Sequence, residues 1–257
     1  MRRVLVNYAD RRFYQAQQRN CASALRVGGF STCAALRRAD LDPAFVERNR
    51  RTLSARRGAG YWLWKPYVIA KVLGELELGE LLFYSDAGAT FVHAIDPLIP
   101  ILDATPERLL LFSLPPELTH AAWTKRDCFV VMGLDHEPYL SCGQLLASFL
   151  VMRKTPAVVE FVDEWLAYAT DPRALTDAPN TCGLPNYPNF REHRHDQSVL
   201  SLLARKRGVQ SIPDISQHGR GRWDPRVPQV IDHTRDGSDP LGTRLASWWR
   251  CLWSARG

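Results

Sequence analysis

The sequence predicts an α/β sandwich that folds as one domain around a sizeable core. Short apolar runs bounded by turn residues alternate along the chain with longer segments of helical period. Such alternation of strands and helices is typical of α/β proteins. With 257 residues, of which 46% are hydrophobic and 23% charged, the chain has an ordinary globular composition.

Five short apolar runs are predicted to be the strands of this sandwich. Each run is rich in large apolar or β-favouring side chains, and turn-forming residues bound it on both sides. The predicted strands span residues 4–8, 81–85, 109–114, 128–132 and 147–152.

Three helices are predicted from apolar side chains that recur at i, i+3, i+4 and i+7. Pro66 suits the first turn of the first helix, and Thr155 is the expected N-cap of the second. Asp196 or Ser198 is the expected N-cap of the third, which should end at Gly208. The three helices cover residues 66–76, 155–169 and 196–208.

Two long segments, 171–194 and 214–240, show neither strand-like apolar runs nor a helical period, and proline and glycine interrupt them. Long irregular segments inside compact domains are usually functional or mobile. Part of the second segment, residues 218–226, is basic and either closes over a diphosphate or forms a solvated surface.

The net charge of +6 favours an anionic partner such as a nucleotide phosphate, a nucleic acid or a lipid surface. Nucleic acid is not expected, because the arginines are scattered and no nucleic-acid-binding motif appears. No run approaches the ~18 apolar residues of a membrane-spanning helix, and the start of the chain is too quickly polar for a signal peptide. We therefore expect a cytoplasmic protein.

The cysteines show no metal-ligand spacing, so reduced and mostly buried thiols are expected rather than a disulfide scaffold. They are Cys21, Cys33, Cys128, Cys142, Cys182 and Cys251.

A hydrophobic strand that ends in a carboxylate is the first candidate for chemistry. Asp86 follows the run 81–85, and ligands of open α/β sheets bind beyond the carboxyl ends of strands. A carboxylate there suits a hard divalent cation that bridges two phosphates, and Gly88 would allow a nucleotide sugar to approach closely. The alternative is a simple Asp-Ala-Gly turn that closes the strand.

Residues 58–66 place three large aromatic rings and Lys65 between a glycine turn and a helix start. A helix N-terminus with a neighbouring lysine attracts anions, and exposed aromatic rings stack on bases or sugars. The alternative is that Trp62 and Trp64 share one face of a strand-like segment and belong to the core.

A dense polar cluster, residues 190–198, leads into the third helix. Such a group of hydrogen-bond donors at a helix start suits an anionic or hydroxyl-rich ligand. His193 and His195 are also a candidate metal pair, but no third ligand lies in register with them.

Taken in order, these motifs resemble those of bacterial glycosyltransferases of capsular or lipopolysaccharide assembly, which have the GT-A fold. The resemblance covers roughly residues 1–235. It implies a single catalytic domain over 1–240 with a mixed central sheet flanked by helices, a nucleotide-binding half over about 1–115 and an acceptor half over about 116–240. The motifs that carry it lie at residues 60–66, 84–88, 153–156, 164–165, 175–177 and 193–198.

The resemblance implies transfer of a sugar from a nucleotide-diphosphate sugar, in the first place a UDP-sugar, to a surface polysaccharide or lipid-linked glycan. Whether the anomeric configuration is retained or inverted stays open. The competing interpretation is a non-catalytic nucleotide- or carbohydrate-binding protein that keeps the fold, because Gly88 stands where the family has a second carboxylate.

The resemblance also implies roles for single residues. Asp196 and Gln197 match the pair that several GT-A families place beneath the reacting anomeric carbon, and are the candidate catalytic residues. Asp86 and His233 are the candidate ligands of a manganese or magnesium ion. The candidate donor-binding residues are Tyr8, Ala9, Tyr61, Trp62, Trp64, Lys65, Ser85, Asp86, Gly88, Gln144, Ser148 and His195.

The tail, residues 241–257, carries leucine and tryptophan at helical spacing among several arginines. This pattern predicts an amphipathic helix rich in aromatic side chains. It either rests on an anionic membrane, at the inner face of the cell membrane, or packs on the core of the protein.

Overall fold

The structure is a computed structural model that describes residues 1–216 and 227–233. The strands are β1 (Arg3–Tyr8), β2 (Thr32–Leu36), β3 (Leu81–Ser85), β4 (Thr90–Phe91), β5 (Leu109–Ser113), β6 (Leu145–Arg153), β7 (Ser211–Pro213) and β8 (Ile231–Asp232). The helices are α1 (Tyr14–Ser23), α2 (Pro43–Arg48), α3 (Arg50–Leu53), α4 (Gly58–Tyr61), α5 (Trp64–Glu75), α6 (Leu98–Ala104), α7 (His120–Trp123), α8 (Arg126–Met132), α9 (Pro156–Ala169), α10 (Pro172–Leu175) and α11 (Asp196–Arg207).

The central sheet is mixed and has the strand order β2-β1-β3-β6-β5-β7. β1 runs parallel to β2 and β3, whereas β6 runs antiparallel to both of its neighbours, β3 and β5. β4 and β8 pair with each other in a separate two-stranded antiparallel sheet. The predicted mixed sheet flanked by helices is confirmed.

Alternating side chains of the strands face two different cores. Val4 and Val6 of β1 pack in the core that includes α5, α9 and α11, while Leu5 packs on the opposite side with α6. Because both faces of the sheet are covered, its central strands are apolar along their whole length.

Four of the predicted strands correspond to β1, β3, β5 and β6, and the three predicted helices correspond to α5, α9 and α11. The predicted strand at 128–132 is wrong, because these residues belong to α8. Cys128, Phe129 and Met132 lie on one buried helical face, and Gly133 ends the helix at a φ of 69°. A short apolar run fits a buried helix as well as a buried strand.

The helix caps were predicted in part. Thr155 accepts a hydrogen bond from the backbone N–H of Val158, as expected of the N-cap of α9. The N-cap expected at Asp196 or Ser198 is wrong, because His195 precedes α11 and neither side chain caps it. The Ser198 hydroxyl instead donates to the Trp123 carbonyl at 2.8 Å.

Cys21 and Cys33 form a disulfide, which corrects the expectation of reduced thiols for this pair. Cys21 lies on α1 and Cys33 on β2, and the right-handed β1-α1-β2 crossover brings them together. Their spacing along the sequence gives no sign of this contact. Cys128, Cys142 and Cys182 are free thiols, and Cys251 lies outside the described residues.

Residues 171–194 are irregular apart from α10, as predicted, but α8 anchors them. Asp127 accepts hydrogen bonds from the backbone N–H groups of Thr181 and Cys182, each at 2.8 Å. The Lys125 ammonium donates to the Ala178 carbonyl at 2.6 Å. This long loop is therefore fixed by buried charges at one end of the helix.

Two predictions fall outside the described residues: the amphipathic tail at 241–257 and the whole basic stretch at 218–226. In the part of the chain that the structure does describe, no helix is long and apolar enough to cross a bilayer. The division into a nucleotide-binding and an acceptor half stays a prediction.

Candidate functional site

A pocket open to solvent, with a volume of ≈ 130 Å³, lies where β3 ends and α11 begins. Strand ends and helix starts are where α/β proteins commonly bind ligands. The pocket brings together nearly all of the polar residues that the sequence singled out. The predicted site residues in its lining are Trp62, Lys65, Asp86, Gln144, Ser148, His195, Asp196, Gln197 and His233.

The ammonium of Lys65 lies at the centre of the charged groups and is almost fully buried, at 2% exposure. Its Nζ is 2.8 Å from Oδ2 of Asp196 and 3.4 Å from Oδ1 of Asp86. It also donates to the carbonyl oxygen of Ala147 at 2.9 Å. Lys65 thus makes one hydrogen bond to a backbone carbonyl and forms ion pairs with two carboxylates.

Burial raises the pKa of Asp196 to about 6, although the charge of Lys65 opposes this rise. Burial alone would lower the pKa of Lys65, but the charges of Asp196 and Asp86 outweigh it and raise that pKa. Lys65 therefore carries its charge at neutral pH, while Asp196 changes its protonation state at a pH slightly below neutral.

Asp86 is held by its neighbours at the end of β3. Its backbone N–H donates to the Ser148 carbonyl at 2.8 Å, and the Tyr84 hydroxyl donates to Oδ1 at 2.6 Å. Burial on its own would raise the pKa of Asp86, but Lys65, His233 and the Tyr84 hydroxyl together lower it. Asp86 is therefore ionised and already hydrogen-bonded within the protein.

An amide pair fixes the orientation of Gln197. The Gln144 Nε2 group donates to the Thr124 hydroxyl at 2.9 Å and to the Trp123 carbonyl at 3.4 Å, so its Oε1 must face Gln197. Gln197 Nε2 donates to that oxygen at 2.8 Å. Gln197 lines the pocket, and Oε1 is the acceptor atom of its amide that this contact does not use.

His195 precedes α11 in an unusual backbone conformation, with φ at 54°. Its Nδ1 donates to the Leu175 carbonyl at 2.9 Å, and burial lowers its pKa to about 4. The imidazole is therefore neutral. The rings of Tyr61 and Trp62 lie 5.0 and 5.5 Å from it, so two separate segments meet at this side of the pocket.

The strand-like interpretation of Trp62 and Trp64 is wrong, because Trp62 adopts a left-handed conformation with φ at 58°. The two rings consequently diverge. Trp62 lines the pocket, whereas Trp64 is buried and stacks on Tyr8 at 4.1 Å between ring centroids.

Several predicted donor-binding residues do not line the pocket. Ser85 is buried on another side, where its hydroxyl accepts from Asn20 at 3.2 Å. A Cβ at Gly88 would meet no atom within 4 Å, so no close contact requires a glycine there. The residues outside the lining are Tyr8, Ala9, Tyr61, Trp64, Ser85 and Gly88.

The small sheet explains how His233 reaches the pocket. β4 follows Asp86 by a few residues and pairs with β8, which ends immediately before His233. The imidazole packs against Phe149 with 5.1 Å between ring centroids. Asp86 and His233, far apart in sequence, thus line one pocket.

The described residues do not form a complete metal site by themselves. Asp86 and His233 are the two predicted ligands, and Asp86 already interacts with Lys65 and Tyr84. Within residues 1–216 and 227–233, no three His, Cys, Asp or Glu side chains form a group able to hold a metal. Nor are His193 and His195 a metal pair, because both ring nitrogens of His193 are engaged: Nε2 donates to the Ala174 carbonyl, and Nδ1 accepts from the backbone N–H of Lys125.

Sequence reasoning missed the apolar wall of the pocket and its cation–aromatic pair. The guanidinium of Arg194 lies 4.1 Å from the ring centroid of Trp123. Arg194 belongs to the polar cluster at 190–198, but no periodicity marks Trp123. The lining residues that were missed are Leu114, Leu118, Trp123, Leu146 and Arg194.

Comparisons with solved structures find similar folds at low sequence identity. The chain is similar to the apo form of mouse xyloside xylosyltransferase 1, with 10% identity and a TM-score of 0.47 over 93% of this chain and 99% of that one. It is also similar to the apo structure of the WbbM bifunctional glycosyltransferase, with 10% identity and a TM-score of 0.52 over 91% of this chain and 45% of that one. No protein-family model and no curated protein matches the chain.

The chain spans less than half of the length of WbbM. At a TM-score of 0.52 the two proteins share a fold, and we rest no argument on the lower score with the xylosyltransferase. The predicted glycosyltransferase-type α/β fold is thereby confirmed, and the identity of 10% limits this likeness to the fold.

Proposed function

We propose that the protein is a glycosyltransferase that moves a sugar from a nucleotide-diphosphate sugar, in the first place a UDP-sugar, to a glycan hydroxyl. The acceptor we propose is a bacterial surface polysaccharide or a lipid-linked glycan. The observation that carries the proposal is the group of Asp86, Lys65 and Asp196 in one pocket at the end of β3. The glycosyltransferase-type fold supports it.

In the proposed reaction the bond between the sugar C1 and the diphosphate oxygen breaks, and a bond forms between C1 and the acceptor oxygen. The acceptor hydroxyl releases its proton. Positive charge develops at C1, and oxygens aimed at it lower the barrier. Asp196 and the Oε1 of Gln197 are the groups we propose for this role, with Trp62 as a surface on which a sugar ring stacks.

The competing function is a nucleotide- or carbohydrate-binding protein without transfer activity. It is favoured by the engagement of both carboxylates with Lys65, since Asp196 is only 4% exposed. Both functions would use the same pocket, but only the glycosyltransferase would turn over a nucleotide-sugar. The manganese or magnesium ion expected from the resemblance stays a prediction.

A thermal-shift screen against UDP, GDP and CMP, with and without Mn²⁺, tests nucleotide binding. A ligand that binds only the folded state raises the melting temperature of the protein. The stabilisation free energy grows with the logarithm of ligand concentration over Kd. We expect one nucleotide to stabilise the protein selectively. If none of the three does so, the proposed function is contradicted.

Hydrolysis of the matching nucleotide-sugar then separates enzyme from binding protein. We expect turnover in the wild type and a loss of at least ~100-fold in Asp196→Ala, since removal of one stabilising group at the reacting centre typically costs that much. Asp86→Ala should also be impaired. Binding without any turnover supports the competing function, and unchanged turnover in both variants contradicts the site assignment.

We further propose that residues 241–257 hold the enzyme on an anionic membrane, because their aromatic and basic side chains follow an amphipathic pattern. Co-sedimentation with anionic liposomes should be strong for the full chain and weak for a form that ends at Gly242. Equal binding of the two forms would remove the membrane contact from the proposal.

A further inference from the structure

The pocket contains a cation that belongs to the chain itself. Lys65 lies on the first turn of α5 and joins the carboxylate at the end of β3 to the carboxylate at the start of α11. Lysine is rarely as deeply buried as Lys65, at 2% exposure, unless acidic side chains lie nearby. The two carboxylates therefore account for the presence of a buried ammonium in this pocket.

We propose that the Lys65 ammonium takes the place of a divalent cation here, holding Asp86 and Asp196 together so that a nucleoside diphosphate binds with no metal on Asp86. The ligand class in this inference rests on the proposed function. The role of Lys65 between the two carboxylates does not.

One carboxylate oxygen of Asp86 already has partners within the protein. Oδ1 accepts the Tyr84 hydroxyl at 2.6 Å and lies 3.4 Å from the ammonium of Lys65. Mg²⁺ binds carboxylate oxygens at about 2.0–2.1 Å and Ca²⁺ at about 2.3–2.6 Å. A metal on this oxygen would displace the hydroxyl or lie close to the positive charge of Lys65, which would repel it.

Several contacts hold the ammonium in its place. It donates a hydrogen bond to the Ala147 carbonyl and forms ion pairs with Asp86 and Asp196, so its departure would leave two carboxylates without this cation. Removing one member of a buried ion pair is strongly destabilising. A metal could therefore enter only at a large cost in broken contacts.

A metal on Asp86 would need further protein ligands. Gly88 supplies no second carboxylate, and no group of three metal-binding side chains occurs in the described ranges. Asp196, the other acid of the pocket, is the closest partner of Lys65 at 2.8 Å. Both acids are thus committed to the same ammonium.

The first test uses the wild-type full chain and two readouts. UDP affinity by calorimetry should be the same in EDTA and in Mn²⁺. Electron paramagnetic resonance of free Mn²⁺ should show no stoichiometric binding. A UDP affinity that requires Mn²⁺, or a bound Mn²⁺ that Asp86→Asn removes, would overturn the inference.

The second test compares Lys65→Met with Lys71→Met, a matched change at an exposed lysine of the same helix. Lys65→Met leaves two neighbouring carboxylates without a cation, so UDP binding in EDTA should weaken by at least ~10-fold and Mn²⁺ should restore part of it. Lys71→Met should behave as the wild type. Equal UDP affinity of Lys65→Met and the wild type in EDTA would overturn the role of Lys65.

The two proposals fail in different ways. If none of UDP, GDP and CMP binds under any condition, the proposed function fails, and the Mn²⁺ resonance measurement on the wild type still tests whether Asp86 holds a metal. If Lys65→Met does not fold, the wild-type measurements in EDTA and Mn²⁺ decide it alone.

Discussion

The protonation of one buried carboxyl connects the pocket to the pH of its surroundings. Asp196 lies against Lys65 with little exposure to solvent, and burial raises its pKa to about 6. Below that pH the carboxyl is neutral and above it is ionised. Any role of Asp196 that needs its negative charge therefore develops as the pH rises through this range.

We predict that donor turnover increases with pH and has an apparent pKa near 6, the value to which burial shifts Asp196. The expected reason is that only the ionised carboxylate stabilises positive charge at C1. A pH–rate profile of kcat checks this, and the step should disappear in Asp196→Asn. A flat profile in the wild type between pH 5 and 8 would contradict the role of the charge.

The Gln144 amide provides a second prediction, because it orients Gln197. In Gln144→Leu the Nε2 of Gln197 loses its acceptor and the Thr124 hydroxyl loses its donor, which should lower stability by about 1–3 kcal/mol. We also expect kcat to fall more than KM rises, since Gln197 would lose its fixed orientation. Chemical denaturation and steady-state kinetics measure both effects, and unchanged kcat would argue against the positioning role.

The helices and strands differ in how well the sequence predicts them. β3 and α9 are recognisable because an unbroken apolar run and a clear apolar stripe mark them, and Thr155 marks the start of α9. β2 was missed because this edge strand is made of small, partly exposed residues. α8 was mistaken for a strand because its run of seven residues is too short to reveal a helical period.

The residues of the candidate site also differ in how strongly the local sequence marks them. Asp86, Lys65 and Asp196 are recognisable as polar residues beside element ends, where local sequence carries the signal. Trp123 reaches the pocket through tertiary contacts of α7, and no local pattern encodes such contacts, so this wall of the pocket could not be predicted. His233 reaches the pocket through the pairing of β4 with β8, and only the resemblance indicated it as a site residue.

α8 also fixes the long irregular segment, and this connection can be tested. Asp127 is buried and accepts three hydrogen bonds from Thr181 and Cys182. Asp127→Ala should lower the free energy of unfolding by about 3 kcal/mol, because buried donors lose their acceptor.

Limited proteolysis should also cut the Asp127→Ala variant more rapidly within residues 176–186. Asp163→Ala, at an exposed position of α9, is the matched control and should change neither property. Equal proteolysis of the two variants would contradict the anchoring role of Asp127.

Across the whole molecule, the sheet holds both cores and the disulfide ties its edge strand to α1. Cross-linking of cysteines that are 12 residues apart should stabilise the fold by about 2–4 kcal/mol, mainly by restricting the unfolded chain. Cys33→Ser should lose this stabilisation in denaturant titrations without reductant. Wild type treated with a reductant should match the variant, and unchanged stability in both would show that the pair does not cross-link.

The pairing of β4 with β8 has a consequence for biosynthesis. A chain emerging from the ribosome has the strands of the large sheet long before it has His233. Until β8 has been translated and has docked on β4, one wall of the pocket is missing. The nascent chain can therefore bury its sheet early, while its ability to capture a ligand arrives only with one of its last described residues.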